Sequence, residues 1–167
     1  MKYCAAFTLK LKTNESNKKI MKNKKTTLTK LKFRHLSELG SRLNLSFSSH
    51  DIIGDKIIGL DGVKKKLLIA QKNNVLNQSH IIALDEVKAI SIKKVYNGIT
   101  AGALRKRNIG EFLKTMVIQF ELRHKNELII LPFYESVINK LYDLTGLERK
   151  ARNWQLMLSK MISTHNY

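Results

Sequence analysis

The feature that most constrains this chain is a series of short, β-type apolar runs between Lys56 and Phe133, followed by one amphipathic helix that carries the only tryptophan, Trp154. Short runs rich in Ile and Val, with polar residues between them, are typical of antiparallel strands. A β-rich core closed by a helix buries the apolar face of both kinds of element. We therefore predict an α+β fold built around a single core.

The first predicted hairpin is centred on Asp61-Gly62. This pair lies between a run that ends at Leu60 and a second run that extends from Val63 to Gln71. Asp-Gly readily supplies the two positive φ angles of a two-residue type I′ turn, so we predict that turn here. A turn at residues 72–74 and further strands at 80–84 and 87–95 would continue the meander.

A second hairpin is predicted after a long connection. Residues 97–110 contain three glycines, which indicates a loop that interrupts the sheet. Residues 115–124 then alternate in polarity, as expected of a strand with one buried face. After a turn at Lys125-Asn126, residues 127–133 would form its partner, with Pro132 at a strand end or on a sheet edge.

A helix is predicted on each side of the strands. Residues 27–44 place leucines at near-helical spacing with basic residues between them, and Asn44 suits the end of such a helix. We favour a helix packed on a domain over a free helix at a membrane surface. The C-terminal helix is predicted by the capping-box pattern of Thr145 and Glu148 and by an apolar stripe through Trp154.

The N-terminal segment, residues 1–26, is predicted to be a basic, disordered arm. Residues 1–36 hold eleven Lys or Arg and one acid, so +10 of the net charge of +18 lies there. The polar and lysine-rich stretch from Thr13 to Thr29 has too little apolar surface to offset its ordering entropy. Met21 is an alternative start, and the sequence does not decide between it and Met1.

The length and the cysteine content limit the classes of protein to which this chain can belong. The 167 residues suit one domain of about 100–150 residues with a tail. The only cysteine, Cys4, has no internal disulfide partner, which favours a reducing compartment, so we expect a cytoplasmic protein. We predict no signal peptide, because the apolar stretch from Tyr3 to Leu9 is short and no clear small-residue cleavage site follows it. We predict no transmembrane segment, because no apolar run approaches ~20 residues. The protein would be soluble or peripheral at a membrane.

The order of elements resembles the pleckstrin-homology-like (PH-like) superfold, including its bacterial and GRAM-type branches. The resemblance covers residues 45–163 and rests on the runs KIIGLDGVKKKLLIAQ, HIIALDEVKAISIKKVY and MVIQFELRHKNELIILPFY and on the helix LERKARNWQLMLSKM. It implies six or seven antiparallel strands in a bent sheet or partial barrel, with a capping helix whose tryptophan, here Trp154, packs into the core. The chain is also similar to uncharacterised small bacterial proteins that place a helix and an LSFSSHDIIGDKIIGLDG-like segment before such a core; this similarity implies no activity.

Two basic clusters are the candidate binding residues. The resemblance implies that Lys64, Lys65 and Lys66 lie where phosphoinositide-binding PH domains place basic residues, in the loop between the first strands. Adjacent strand residues alternate in direction, so at most two of the three lysines would face one side. A solvated strand edge is the favoured alternative.

The second cluster lies in the glycine-bearing loop. Its members, Arg105, Lys106 and Arg107, could meet phosphates or anionic lipid. A solvated loop is the slightly favoured alternative for these residues.

No catalytic, cofactor or metal site is predicted. The five histidines are scattered outside any two-histidine motif, and the glycines lack the context of a phosphate loop. We therefore expect a non-enzymatic binding or scaffolding module whose partner is a protein or an anionic membrane surface. The alternative is a basic nucleic-acid-associated protein, because a net charge of +18 attracts any polyphosphate, although no specific recognition motif is present.

Overall fold

The computed structural model describes residues 26–72, 77–100, 102–105, 107–124, 127–139 and 143–162. Contacts divide the chain into two units, Met1–Asn44 and Leu45–Tyr167. Except for Thr26, which is helical, the predicted disordered arm lies outside the described residues.

The described residues of the first unit form one helix, α1, over residues 26–42. Arg34 and Glu38 form an i,i+4 ion pair on its surface at 3.6 Å. Just beyond the helix, Asn44 adopts a φ of 52°, the left-handed conformation that commonly terminates helices. The predicted N-terminal helix and its stop at Asn44 are thus confirmed.

The described residues of the second unit form seven antiparallel strands in two open sheets, followed by a helix. The first sheet has the order β1-β2-β3-β4, with the strands β1 (Ser49–Ile53), β2 (Lys56–Asp61), β3 (Lys66–Lys72) and β4 (Asn77–Ala83). The second sheet has the order β5-β6-β7, with the strands β5 (Val87–Tyr96), β6 (Leu113–Leu122) and β7 (Leu128–Glu135). The helix α2 spans Leu144–Ser159. The predicted α+β fold with a helix at each end is confirmed.

The β2–β3 hairpin forms as predicted, but the prediction of its turn type is wrong. Asp61 pairs with Lys66, so four residues rather than two connect the strands. The positive φ falls on Lys65, at 51°, and not on Asp61-Gly62. The Asp61 carboxylate accepts the backbone N–H groups of Val63 and Lys64, which favours a wider turn closed by the aspartate side chain.

One core cluster contains buried side chains from both sheets and from α2. The alternation predicted for β6 is confirmed, since Met116, Ile118 and Phe120 are all fully buried. Trp154 is only 5% exposed and belongs to the same cluster, as predicted. Burial of so many apolar side chains is the main source of stability in a domain of this size.

The C-terminal helix is confirmed, but its predicted capping box is wrong. Helix α2 begins at Leu144, one residue before Thr145, and its N-cap residue Asp143 makes no side-chain capping hydrogen bond. Glu148 instead accepts hydrogen bonds from Lys94 and Arg152. Charge-assisted contacts of this kind are stronger than a neutral cap, so they determine where the glutamate points.

The remaining connections agree with the sequence in outline. A long connection joins β5 to β6 and contains two short 3-10 turns, at Ala103–Arg105 and Ile109–Phe112. Pro132 lies in β7, an edge strand, as predicted. The turns predicted at 72–74 and 125–126 lie, apart from Lys72, outside the described residues.

Candidate functional site

The predicted lysine cluster lies in the turn between β2 and β3, the second and third strands rather than the first two. Lys64 and Lys66 are exposed. The ammonium of Lys65 lies 3.4 Å from the Asp85 carboxylate, and its backbone carbonyl accepts the Leu84 N–H at 2.8 Å. Lys65 therefore differs from its two exposed neighbours, because it takes part in contacts within the fold.

Asp61 holds this turn in place and is 1% exposed. Its Oδ1 accepts the N–H of Lys64 at 2.8 Å and of Val63 at 3.1 Å, and its Oδ2 accepts the N–H of Ser46 at 2.8 Å. The N–H groups of Lys64 and Ser46 lower the pKa of Asp61 below its ordinary value, although burial opposes them. A carboxylate stabilised in its charged form is suited to support a turn and poorly suited to donate a proton.

The second basic cluster lies in the connection between β5 and β6. Arg105 is exposed at the end of a 3-10 turn. Arg107 Nε lies 3.1 Å from Glu111 Oε2, and the Arg107 guanidinium lies 5.7 Å from the centre of the Phe112 ring. Lys106 is outside the described residues. The charge of Arg107 is therefore partly compensated within its own loop.

The two clusters lie at opposite ends of β5. Lys65 contacts Asp85, two residues before β5 begins, whereas Arg105 follows nine residues after β5 ends at Tyr96. A ten-residue strand is about 30 Å long, far more than the span of one phosphate site. The clusters therefore do not form a single anion-binding pocket.

A groove between β5 and α2 brings several polar and charged groups together. β5 is an edge strand of its sheet, and α2 packs against all three strands of that sheet, β5 included. The groove has a volume of about 430 Å³. Its lining residues come from both elements: Ser91, Ile92 and Lys94 from β5, and Glu148, Arg152 and Gln155 from α2.

Three charged side chains are linked by hydrogen bonds across this groove. Glu148 Oε1 accepts hydrogen bonds from Lys94 Nζ and from Arg152 Nη2, both at 2.8 Å. Lys94, and then Arg152, lower the pKa of Glu148 below its ordinary value. The glutamate thus stays ionised and links β5 to α2 through Lys94.

The backbone of β5 faces the groove at regular intervals. Gln155 Nε2 donates to the carbonyl oxygen of Ile90 at 3.3 Å, so the backbone groups of Ile90 point away from β6. Hydrogen-bonding direction alternates along an antiparallel strand, so the backbone groups of Ile92 and Lys94 point the same way. An edge of this kind offers donors and acceptors to an incoming extended chain.

Helix α2 is fixed on its other side by β1. Asp51 Oδ1 accepts a hydrogen bond from Lys150 Nζ at 2.6 Å, and Asp51 Oδ2 lies 3.4 Å from Trp154 Nε1. The helix is therefore anchored to both sheets, through Asp51 on β1 and Lys94 on β5. Such anchoring gives the groove walls a defined position.

A second recess, on β3 and β4, offers less chemistry. Its volume is about 500 Å³, and it is lined by Ile69, Gln71, Gln78, Ser79 and His80. His80 is the only titratable residue among them. Within the described parts of the chain, no three His, Cys, Asp or Glu residues are grouped so that they could hold a metal ion.

Sequence reasoning missed the groove residues Ser91, Glu148 and Gln155 as a site. The available signal was the lysine content of β5, with Lys88, Lys93 and Lys94, because edge strands commonly carry lysine. That signal indicates an edge but not the helix that lies beside it.

Comparison of the chain with protein-family models, with curated proteins and with solved structures finds no match. Among the described residues, no helix is long and apolar enough to cross a membrane. The geometry of the fold therefore carries the functional argument.

Proposed function

We propose that this chain is a non-enzymatic, PH-like binding module that holds an extended segment of a protein partner along the edge of β5. The observation that carries the proposal is the position of β5, an edge strand that borders a groove against α2. A four-stranded and a three-stranded antiparallel sheet, followed by a helix with a buried tryptophan, support the PH-like assignment.

The mode of binding would be strand addition. In this mode, main-chain hydrogen bonds supply affinity, and side chains that flank the edge select the sequence. The outward backbone groups of Ile92 and Lys94 would pair with the partner. Gln155 would release the Ile90 carbonyl, to which it now donates, so that the partner could take its place.

The side chains of the groove favour a polar partner segment. Glu148 lies between Lys94 and Arg152, so the groove presents both signs of charge within hydrogen-bonding reach. Ser91 adds a hydroxyl and Ile92 a small apolar surface. A segment that alternates polar and apolar residues would match this pattern, because alternate side chains of a strand face the same side.

Replacing Lys94 by proline tests the strand-addition mode. Proline lacks the N–H that would bind the partner, yet it is tolerated on a strand edge that faces away from its neighbour. The matched control, Lys94→Ala, removes the ion pair with Glu148 but keeps the N–H. In affinity purification of the full chain from cells, we expect Lys94→Ala to retain a specific protein partner and Lys94→Pro to lose it, with similar melting temperatures for the two variants.

Site-specific photo-crosslinking gives a second measurement that does not depend on proline. A crosslinking residue at Ser91 lies in the groove, whereas the same residue at Ser79 lies on β4, an edge strand of the other sheet. We expect a protein adduct at position 91 and none at position 79. Equal adducts at both positions would overturn the proposal, and an adduct removed by nuclease would instead assign the edge to a nucleic acid.

A further inference from the structure

Two connections lie at the same end of the three-stranded sheet, beyond the groove. The connection between β5 and β6 is closed at its base by a hydrogen bond from Asn97 N–H to the Phe112 carbonyl at 2.7 Å. The turn after β7 is joined to β6 by a hydrogen bond from Ser136 N–H to the Lys114 carbonyl at 2.9 Å. Since Lys114 is the second residue of β6, the turn lies beside the end of the β5–β6 connection.

This end of the sheet exposes several large aliphatic side chains. Val137 is 94% exposed and Ile138 is 71% exposed, side by side in the turn after β7. The β5–β6 connection contributes Ile99, Leu104 and Ile109, which are also exposed. Large aliphatic side chains exposed on neighbouring connections at one end of a sheet are candidates for contact with proteins or membranes. We name these five residues, together with Arg105, the loop-end surface.

The turn that carries the most exposed pair is held in one shape. The Glu135 carbonyl accepts the N–H groups of Ile138 at 2.9 Å and Asn139 at 2.8 Å. The Asn139 side-chain oxygen in turn accepts the Glu135 N–H at 2.9 Å. Val137 and Ile138 are therefore presented by a preformed turn, so little conformational entropy would be lost when they are buried.

Positive charge accompanies these aliphatic residues. Residues 97–114 contain four basic residues and one acid, Glu111. Arg105 and Lys114 are exposed, whereas Arg107 is paired with Glu111. The net charge of +18 on the whole chain adds a long-range attraction to any anionic surface.

We propose that the loop-end surface docks on an anionic lipid bilayer, with Val137 and Ile138 buried at the level of the headgroups and acyl chains and Arg105 against lipid phosphates. A bilayer is the occupant that these features fit, because a fluid interface accepts aliphatic tips carried on separate loops and complements their basic neighbours. None of these residues lines the β5–α2 groove, so the proposal stands independently of strand addition.

Vesicle co-sedimentation of the full chain tests this surface with closely matched variants. Val137→Ser removes an aliphatic side chain that is 94% exposed, and Val63→Ser removes one that is 93% exposed at the β2–β3 turn, next to the lysine cluster. With phosphatidylcholine vesicles that contain phosphatidylserine, we expect the double variant Val137→Ser/Ile138→Ser to bind more than tenfold more weakly, since each methylene withdrawn from an apolar phase is worth about fourfold and the variant loses more than two. Val63→Ser should bind like the wild type.

Charge reversal at the same surface completes the test. Arg105→Glu should weaken binding more than Arg149→Glu, which reverses an exposed arginine on α2. Absence of binding to these vesicles, or equal losses for Val137→Ser and Val63→Ser, would overturn the proposal. Binding that depends on phosphatidylserine but is unaffected by the Val137 and Ile138 substitutions would also overturn it, because the overall positive charge of the protein would then account for the binding.

Discussion

Phe47 packs its ring directly onto the backbone of Gly59, so closely that a Cβ on residue 59 would lie 2.7 Å from Phe47 Cδ1. Gly59 sits in the middle of β2, paired with His50 on β1 and Leu68 on β3. A glycine inside a strand normally weakens it, and close approach of another group is the usual reason for one. Here the approaching group is an aromatic ring.

Substitution of Gly59 by alanine should therefore destabilise the domain. We expect Gly59→Ala to lower the free energy of unfolding by about 1–3 kcal/mol, because the ring and the strand cannot both keep their positions. Urea denaturation measures this. In a Phe47→Leu background, the same substitution should cost less, and an equal cost in both backgrounds would show that the ring contact is not the cause.

The buried tryptophan of α2 should dominate the stability of the second unit. Trp154→Ala is expected to cost about 3–5 kcal/mol, because it leaves a large cavity between the sheets and the helix. Leu156 lies on the same helix but is 62% exposed, so Leu156→Ala should change the free energy of unfolding by less than about 0.5 kcal/mol. Because Trp154 is the only tryptophan, a blue-shifted emission spectrum of the folded chain checks its burial directly, and solvent-like emission would contradict it.

The pKa of Asp61 makes stability depend on pH. Its folded pKa lies below the unfolded value, chiefly because of the N–H groups of Lys64 and Ser46. A group of this kind stabilises the folded state above its unfolded pKa, and the stabilisation is lost as the pH falls through the folded value. We expect Asp61→Asn to destabilise the chain at pH 7 and the difference from wild type to shrink below about pH 4.

Asp143→Asn serves as the control for this titration. It removes a carboxylate that makes no capping hydrogen bond with α2. We expect a much smaller effect on the unfolding free energy at pH 7 than for Asp61→Asn. A gap between wild type and Asp61→Asn that stays constant down to pH 2 would mean that charge is not what Asp61 contributes.

We expect the lysine cluster at the β2–β3 turn to attract anionic membranes only through the overall positive charge of the protein, and not as a specific binding site. Reversal of Lys64 and Lys66 to glutamate is expected to weaken binding to anionic vesicles about as much as reversal of Lys18 and Lys24 in the arm, because Lys64 and Lys66 are not on the loop-end surface. Co-sedimentation at two ionic strengths measures both pairs, since salt screens exposed charges over about 8–10 Å. A clearly larger loss for the Lys64/Lys66 pair would move the docking site to the β2–β3 turn.

The sequence alone determined the order of helices and strands in outline, and the buried sides of β6 and α2. The alternation through Met116, Ile118 and Phe120 predicted a half-buried strand, and the stripe through Trp154 predicted a buried helix face. Both predictions succeed because strand and helix periods are local properties that neighbouring side chains encode directly. Asn44 belongs with them, since the end of a helix depends on the residue that stands there.

Tertiary structure decided what joins residues that are far apart in the chain. The Asp61 carboxylate is held by the N–H of Ser46, 15 residues away, while it accepts the N–H groups of Val63 and Lys64, and the turn has four residues where the local Asp-Gly pair predicted two. Glu148 binds Lys94, 54 residues away, and so leaves the capping role that its local pattern predicted. Strand order likewise decides that β5 is an edge strand, that it borders a groove against α2, and that the two basic clusters are apart. The sequence does not show these features locally, because only the folded chain brings distant residues together.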